Sequence, residues 1–191
     1  MPFCMECGSH LAEKMPPGDD RLRLVCPSCG YVAYINPKVV AGSLPVVDGK
    51  ALLLRRGIEP RLSMWTYPGG FVEMGETTEE CAVREAQEEL GVVVDSLRLL
   101  GVYSRCQAGV VTVVYLSDLV EGEPHPTPEA LEVSFFGPDE IPWEQLAFPT
   151  TESALKAWAE SRTELSGLRT EQWSNHSILS PQPSVLGRTC L

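Results

Sequence analysis

Three glutamates, Glu85, Glu88 and Glu89, fall within five residues of a stretch whose periodicity predicts a helix over about 78–90. Positions three and four apart share a helix face, so Glu85 stacks with both Glu88 and Glu89. Like charges on one face repel, and an isolated helix gains nothing from the arrangement. A solvated acidic face is the ordinary explanation for such a pattern. A hard divalent cation is the other: Mg2+ takes oxygen ligands, uses one or two carboxylates, and leaves positions for substrate phosphates.

A second chemical constellation stands near the N-terminus. Cys4-x2-Cys7 is followed, eighteen residues later, by Cys26-x2-Cys29. Two CxxC pairs at this separation have the spacing of a four-thiolate Zn2+ ribbon. Gly8 and Gly30 follow the second cysteine of each pair, where a tight knuckle favours a residue without a side chain. Two disulfides are the rival arrangement, disfavoured because no signal peptide precedes Cys4. A thioredoxin-like redox pair lacks the surrounding βαβ pattern. Cys81, Cys106 and Cys190 have no partner spacing, and Cys81 reads as a small buried residue of the glutamate helix.

The segment around the glutamates resembles the Nudix box, G-x5-E-x7-R-E-U-x-E-E-x-G-U, with U aliphatic. Gly70, Glu76, Arg84, Glu85, Glu88, Glu89 and Gly91 match its fixed positions, and Ala86 and Val92 its aliphatic ones. The lead-in Trp65-Thr66-Tyr67-Pro68-Gly69-Gly70 is similar to the usual approach to that box. The resemblance implies an α/β fold, an α/β/α sandwich with a mixed sheet, here preceded by the small zinc ribbon. It implies a metal-dependent pyrophosphohydrolase, with Mg2+ or Mn2+ held by Glu85, Glu88 and Glu89 and by a backbone carbonyl at Gly69 or Gly70. Arg84, four residues before Glu88, is placed to orient acids such as Glu76. The general base is a box glutamate or an acid on a later loop. Outside the box the candidates are Glu129 and Glu132, and Glu132, at the start of the strand that carries Phe135 and Phe136, is the one expected to point back at the metals.

The substrate is read from finer likenesses. A ribbon joined to such a domain resembles the NADH pyrophosphatases, but their SQPWPFP-type signature is missing; after the box comes Leu100-Gly101-Val102-Tyr103-Ser104-Arg105. The chain is more similar to the plant chloroplast FAD and ADP-ribose pyrophosphatases and their prokaryotic relatives. The likeness lies in the ribbon, in Tyr34-x-Asn36-Pro37-Lys38, and in three later pieces: 128–132, 139–142 and 146–148. An adenine or isoalloxazine ring wants an aromatic platform, for which Trp65, Tyr67, Phe71 and Tyr34 are candidates. Arg55, Arg56 and Arg105 are candidate phosphate clamps. Two other classes compete: a non-catalytic nucleotide-sensing regulator, which would normally lose box glutamates, and a scaffold whose zinc holds a homodimer.

These groups need elements to position them. Residues 1–34 read as the ribbon, with Asn36-Pro37 as the joint to a main domain over 35–160. Val39–Val47 and Ala51–Leu54 are β-branched and apolar runs joined by Asp48-Gly49, a hairpin signal. Gly91 reads as the helix stop. Strands are expected over 96–104, 110–119 and 132–136, with an irregular loop at Pro124–Pro128, and an amphipathic helix from Thr150 to about Glu160. Residues 161–191, rich in Ser, Thr, Gln and Pro, read as a poorly ordered tail.

Composition bounds the partners. Asp and Glu number 26 against 15 Lys and Arg, for a formal net charge of -11. That balance argues against nucleic acid, which needs basic surface to displace counterions, and against anionic membranes. No run of 18 apolar residues exists, so no transmembrane helix is expected. The sequence expectation is a cytoplasmic enzyme acting on a small nucleotide.

Overall fold

The computed structural model describes residues 2–168, with side chains as far as residue 161. The tail expectation for 169–191 therefore lies outside the described residues.

Residues 2–35 form the ribbon. Strands β1 (Ala12–Lys14), β2 (Arg23–Val25) and β3 (Val32–Ala33) make a small antiparallel sheet in sequence order. Each CxxC pair closes a knuckle in which Gly8 N–H donates to Cys4 O and Gly30 N–H to Cys26 O, both at 3.0 Å. Gly8 and Gly30 have φ of 73° and 79°, the left-handed region that an L side chain resists. Hardly anything apolar is buried here apart from Cys4, Cys26, Pro16 and Ala33. A module with so little core depends on what its cysteines bind.

The main sheet has strand order β10-β5-β4-β9-β8. Its members are β4 (Lys38–Val47), β5 (Lys50–Arg56), β8 (Val93–Arg105), β9 (Val110–Glu121) and β10 (Ala130–Phe136). The central pair, β4 and β9, is parallel, and its neighbours are antiparallel, so the sheet is mixed. Asp48 and Gly49 turn between β4 and β5 with φ of 49° and 79°, the two left-handed residues that a tight hairpin requires. Two very short strands, β6 (Trp65–Thr66) and β7 (Gly69–Phe71), pair with β5 and β4 respectively and lay the glycine turn across the sheet.

Helix α1 (Thr78–Leu90) covers one face and α2 (Pro149–Leu168) the other. Strand β5 shows how the sequence builds both layers. Leu52 and Leu54 join Ala86, Leu90, Val92 and Val94 under α1, while Ala51 and Leu53 join Leu44, Val114, Leu155 and Trp158 under α2. Successive residues of a strand face opposite ways, so an uninterrupted leucine run serves a sheet buried on both sides. This is the α/β/α sandwich with mixed sheet and N-terminal ribbon.

Helix α2 runs eight residues beyond the expected end at Glu160. The composition turns polar there, but no proline or glycine interrupts 161–166, so nothing forces the backbone out of the helix. No helix among the described residues is long and apolar enough to cross a membrane.

Candidate active site

Helix α1 is pinned at both ends. The Thr77 hydroxyl accepts Glu80 N–H at 3.1 Å and the Glu80 carboxylate accepts Thr77 N–H at 2.7 Å, a reciprocal capping box. Gly91, at φ 71°, closes the C-terminus with its N–H on Gln87 O. Between these caps lie Arg84, Glu85, Glu88 and Glu89.

Arg84 is the hub of the acidic face. Its Nε and Nη2 donate to the two oxygens of Glu76 at 3.1 and 2.7 Å, a bidentate pair. Nη1 reaches Glu85 at 2.7 Å and Glu88 at 3.1 Å, and Nη2 also reaches the Phe71 carbonyl oxygen at 3.2 Å. The hydrogen bonds from Arg84 hold the Glu76 carboxyl down at about 2. Arg84 thereby joins the glycine turn, the segment after it and two box glutamates.

Glu89 faces the other way. Only 5% exposed, it accepts Gly69 N–H at 2.8 Å, latching α1 to the glycine turn. Burial first, and the neighbouring Glu85 next, push its carboxyl up to about 8. Burial likewise raises Glu85, against the opposing pull of Arg84. Gly70 must be glycine for a local reason: a Cβ there would run into the Glu85 carboxylate. Cys81, fully buried, places its sulfur 3.7 Å from the Gly70 carbonyl oxygen.

The structure places the remaining sequence candidates unequally. Glu132 and Arg55 stand directly opposite each other on β10 and β5 and form an exposed ion pair at 3.3 Å. The strand register, invisible in the sequence, sets this pair facing solvent at the edge of the sheet. Glu129 is the loop acid whose charge raises both Glu85 and Glu89. Its backbone is fixed by Gly57 N–H on Glu129 O at 2.7 Å and by Glu129 N–H on the Thr127 hydroxyl at 3.3 Å.

Trp65 is 6% exposed and packs edge-on against Phe136 beneath α2, ring centroids 4.9 Å apart. It is a core residue, not a platform. Tyr67 is also buried, while Phe71 is 53% exposed with the Lys38 ammonium 5.0 Å from its ring centroid. Tyr34 lies at the joint under the Arg23 guanidinium.

Tyr67 and Phe71 contribute to a cavity of about 320 Å3 beside the glycine turn. Gly69, Arg56, Arg105 and Phe148 also line it, with Thr66, Thr112 and Thr150. Phe148 carries no sequence signal of a functional role beyond closing the 146–148 piece, and only the fold brings it to the cavity. A mostly apolar pocket with a few convergent polar groups is the usual form of a small-ligand site.

The four ribbon sulfurs lie within 4.8 Å of one another. Cys4–Cys29 and Cys7–Cys26 sulfur separations of 3.6 and 3.4 Å are far too long for disulfides, and fit a tetrahedral zinc site. The box carboxylates do not converge so tightly: among the described residues, the cysteines make the one such group. Arg84 draws Glu85 and Glu88 while Gly69 holds Glu89, and this keeps the like charges apart.

Residues 36–158 match the NUDIX domain family, and residues 2–35 match the Nudix N-terminal family, a zinc ribbon. The chain is 39% identical over 122 residues to an ADP-ribose pyrophosphatase of Methanocaldococcus jannaschii, covering 62% of this chain and 71% of that protein. It is 42% identical over 97 residues to a NAD-capped RNA hydrolase NudC of Chromobacterium violaceum, covering 50% of this chain and 34% of that one. With a Vibrio vulnificus protein of the same name the figures are 31%, 74% and 53%, so the chain spans about a third to a half of these NudC relatives. A Nudix hydrolase structure from Nitrosomonas europaea superposes with a TM-score of 0.80 at 38% identity, over 86% of this chain and 93% of that one. The helix of clustered glutamates, the glycine turn it grips and the four-sulfur ribbon thus stand together in one sandwich, and the chain belongs to the Nudix hydrolase family.

Proposed function

We infer that the protein hydrolyses the pyrophosphate bond of a nucleoside diphosphate joined to another group, FAD or ADP-ribose above all, releasing AMP. The observation that carries this reading is the pairing of two sites across the glycine turn. On one side stand Glu85, Glu88 and Glu89; on the other is a cavity with aromatic walls and two arginines.

The donor set fits a hard divalent cation. Glu89 is buried and Glu85 half-buried, and burial raises both carboxyls despite the cations nearby. A dication in contact with oxygen ligands removes that cost. Mg2+ or Mn2+ would be held by Glu85, Glu88 and Glu89, with the Gly70 carbonyl, and Glu129 is the nearby acid. When bound, such an ion supplies charge neutralisation of the pyrophosphate oxygens and a more acidic water. The chain's own residues do the rest. Arg84, itself anchored by Glu76, holds Glu85 and Glu88 in orientation. Glu89 fixes the turn that separates cluster from cavity. An acid free of cation contacts, Glu129 by position, takes the proton from the attacking water. The ribbon cysteines hold structural Zn2+.

Resemblance to the Methanocaldococcus jannaschii ADP-ribose pyrophosphatase supports the substrate class. Similarity to the NudC proteins favours a second substrate, a NAD-type dinucleotide, free or at an RNA end; the net charge of -11 weighs against a long RNA. Mg2+-dependent release of AMP from FAD, ADP-ribose and NADH, measured in parallel, tests the reading. Preference for FAD or ADP-ribose supports it, preference for NADH moves the substrate to the nicotinamide dinucleotides, and turnover of none refutes it. A folded Glu88→Gln variant that kept full activity would refute the metal-cluster assignment.

A further inference from the structure

Glu129 stands at the third position of a tight turn, Thr127-Pro128-Glu129-Ala130. Thr127 N–H on Ala130 O at 2.9 Å and Ala130 N–H on Thr127 O at 3.1 Å close it. Pro128 fills the second position, where its fixed φ suits such a turn. A turn stiffened in this way places the Glu129 carboxylate according to how the turn is seated on the sandwich. One seat is the Thr127 hydroxyl on the Glu89 carbonyl oxygen at 3.0 Å. The other is on β5: Gly57 N–H donates to Glu129 O at 2.7 Å, one step beyond the last paired residues, Arg56 and Ala130.

Gly57 is itself firmly held. Arg56 N–H donates to Met64 O at 2.9 Å and Ser63 N–H to Arg56 O at 2.8 Å, closing the loop 57–63 at its root. Arg55 Nε and Arg56 Nε add bonds to Ser63 O and Pro60 O, both at 2.9 Å. The φ of Gly57 lies outside the left-handed region, so its conformation does not call for glycine. Space does. A Cβ would run into the Pro128 carbonyl oxygen and stand 3.1 Å from the Glu129 carbonyl carbon and 3.3 Å from its Cα. All three are backbone atoms, which cannot swing aside as the end of a side chain can, so the turn would have to move. Glycine here marks a close approach of two backbones.

We propose that Gly57 is a positioning residue for hydrolysis: its missing side chain and its N–H together set the Glu129 carboxylate beside the carboxylate face of α1. The proposal rests on the pyrophosphohydrolase reading and on Glu129 as the proton acceptor, and Gly57 acts through that acid alone. The charge of Glu129 already reaches both Glu85 and Glu89, so a small shift of the turn changes its distance to the groups it serves. The rival role is packing at a strand end, which would lower stability and leave the chemistry alone.

Steady-state kinetics of the full-length, zinc-loaded protein with Mg2+ and ADP-ribose separate the two. Gly57→Ala is expected to lower kcat by about a hundredfold, the cost of a small misplacement in a reacting site, with KM within about threefold of wild type. Glu129→Gln is expected to lose at least as much, as removal of a general base does. The double variant decides. It should fall within about threefold of Glu129→Gln alone, because Gly57 has nothing left to position, whereas independent losses would multiply. If circular dichroism shows that Gly57→Ala does not fold, an ester in place of the 56–57 peptide bond, installed by semisynthesis, deletes the N–H and adds no bulk. That ester should lower kcat by about tenfold in the wild-type background and leave Glu129→Gln unchanged. Wild-type kcat in either Gly57 variant, a loss confined to KM, or losses that multiply with Glu129→Gln would each overturn the proposal. A fully active Glu129→Gln would also overturn it while leaving the pyrophosphohydrolase reading in place; absence of wild-type turnover would refute that reading and the proposal with it.

Discussion

The Thr127 hydroxyl donates to the carbonyl oxygen of Glu89 at 3.0 Å, and the hydroxyl oxygen in turn accepts the N–H groups of Glu129 and Ala130 at 3.3 and 3.2 Å. One small side chain thus fastens the end of the glutamate helix to the loop that carries the fourth acid. Thr127→Val keeps the shape and removes the hydroxyl. It is expected to lower kcat by about tenfold, in the range seen when groups behind functional ligands are removed, with KM little changed. Thr127→Ser should restore most of the loss. A kcat equal to wild type in the valine variant would show that Glu129 needs no such anchor.

Gly70 and Gly42 give opposite outcomes for the same substitution. In Gly70→Ala the new methyl meets the Glu85 carboxylate, the movable end of a side chain, so the fold yields but the carboxylate is displaced. Loss of activity of about a hundredfold, the cost of a small misplacement in a reacting site, is expected with little change in Tm. In Gly42→Ala the methyl meets the Pro68 carbonyl oxygen and the Tyr67 ring, which cannot withdraw. There a destabilisation of about 1–3 kcal/mol is expected from overpacking. Thermal unfolding and steady-state kinetics on both variants check the contrast.

The Glu76–Arg84 pair makes stability depend on pH in one direction. Hydrogen bonds from Arg84 lower the Glu76 carboxyl from its ordinary value of 4.5 to about 2 in the fold. The group therefore adds stability that is fully present above pH 4.5 and fades as pH falls from there toward 2. Wild type should exceed Glu76→Gln in denaturant midpoint at about pH 7, with the gap narrowing through the acid range. A gap that held constant down to about pH 2 would contradict the pairing.

Metal removal should act on the ribbon first. Its three short strands bury little besides Cys4 and Cys26, whereas the sandwich has its own core on both faces of the sheet. Cys26→Ser is expected to abolish zinc retention and unfold residues 2–35 while the cooperative melting of the main domain persists. Zinc quantified by a chromogenic chelator, with hydrogen exchange across the ribbon, reads both effects.

The C-terminal end of α1 was legible in the sequence because local chemistry dictates it. Gly91 marks the stop by its lack of a side chain, and the helix runs over the expected residues, while the Thr77–Glu80 capping box that fixes the start came from the structure. Asp48-Gly49 sets its hairpin in the same way. What was hidden depends on long-range register. Arg55 and Arg56 are neighbours of one type, yet strand alternation sends Arg55 to an exposed pair with Glu132 and Arg56 into the cavity. Glu129 and Glu132 part company in the same manner, at an irregularity between Ala130 and Glu132. Trp65 and Phe71, both near the glycine turn, differ in exposure only because α2 and Phe136 cover the first. Strands of two and three residues, β6 and β7, are too short to leave a periodic signal.

The leucines of β5 divide their allegiance, Leu52 and Leu54 to the glutamate helix and Leu53 to the helix behind the sheet. Phe148 and Thr150, which help to line the cavity, sit at the start of that second helix. Under the proposed function, the carboxylates that would hold the metal and part of the substrate pocket therefore hang from opposite sides of one partition. Replacements around residues 148–150 can retune which molecule is accepted while the carboxylate face stays intact, and a lineage can exchange substrates without rebuilding its catalyst.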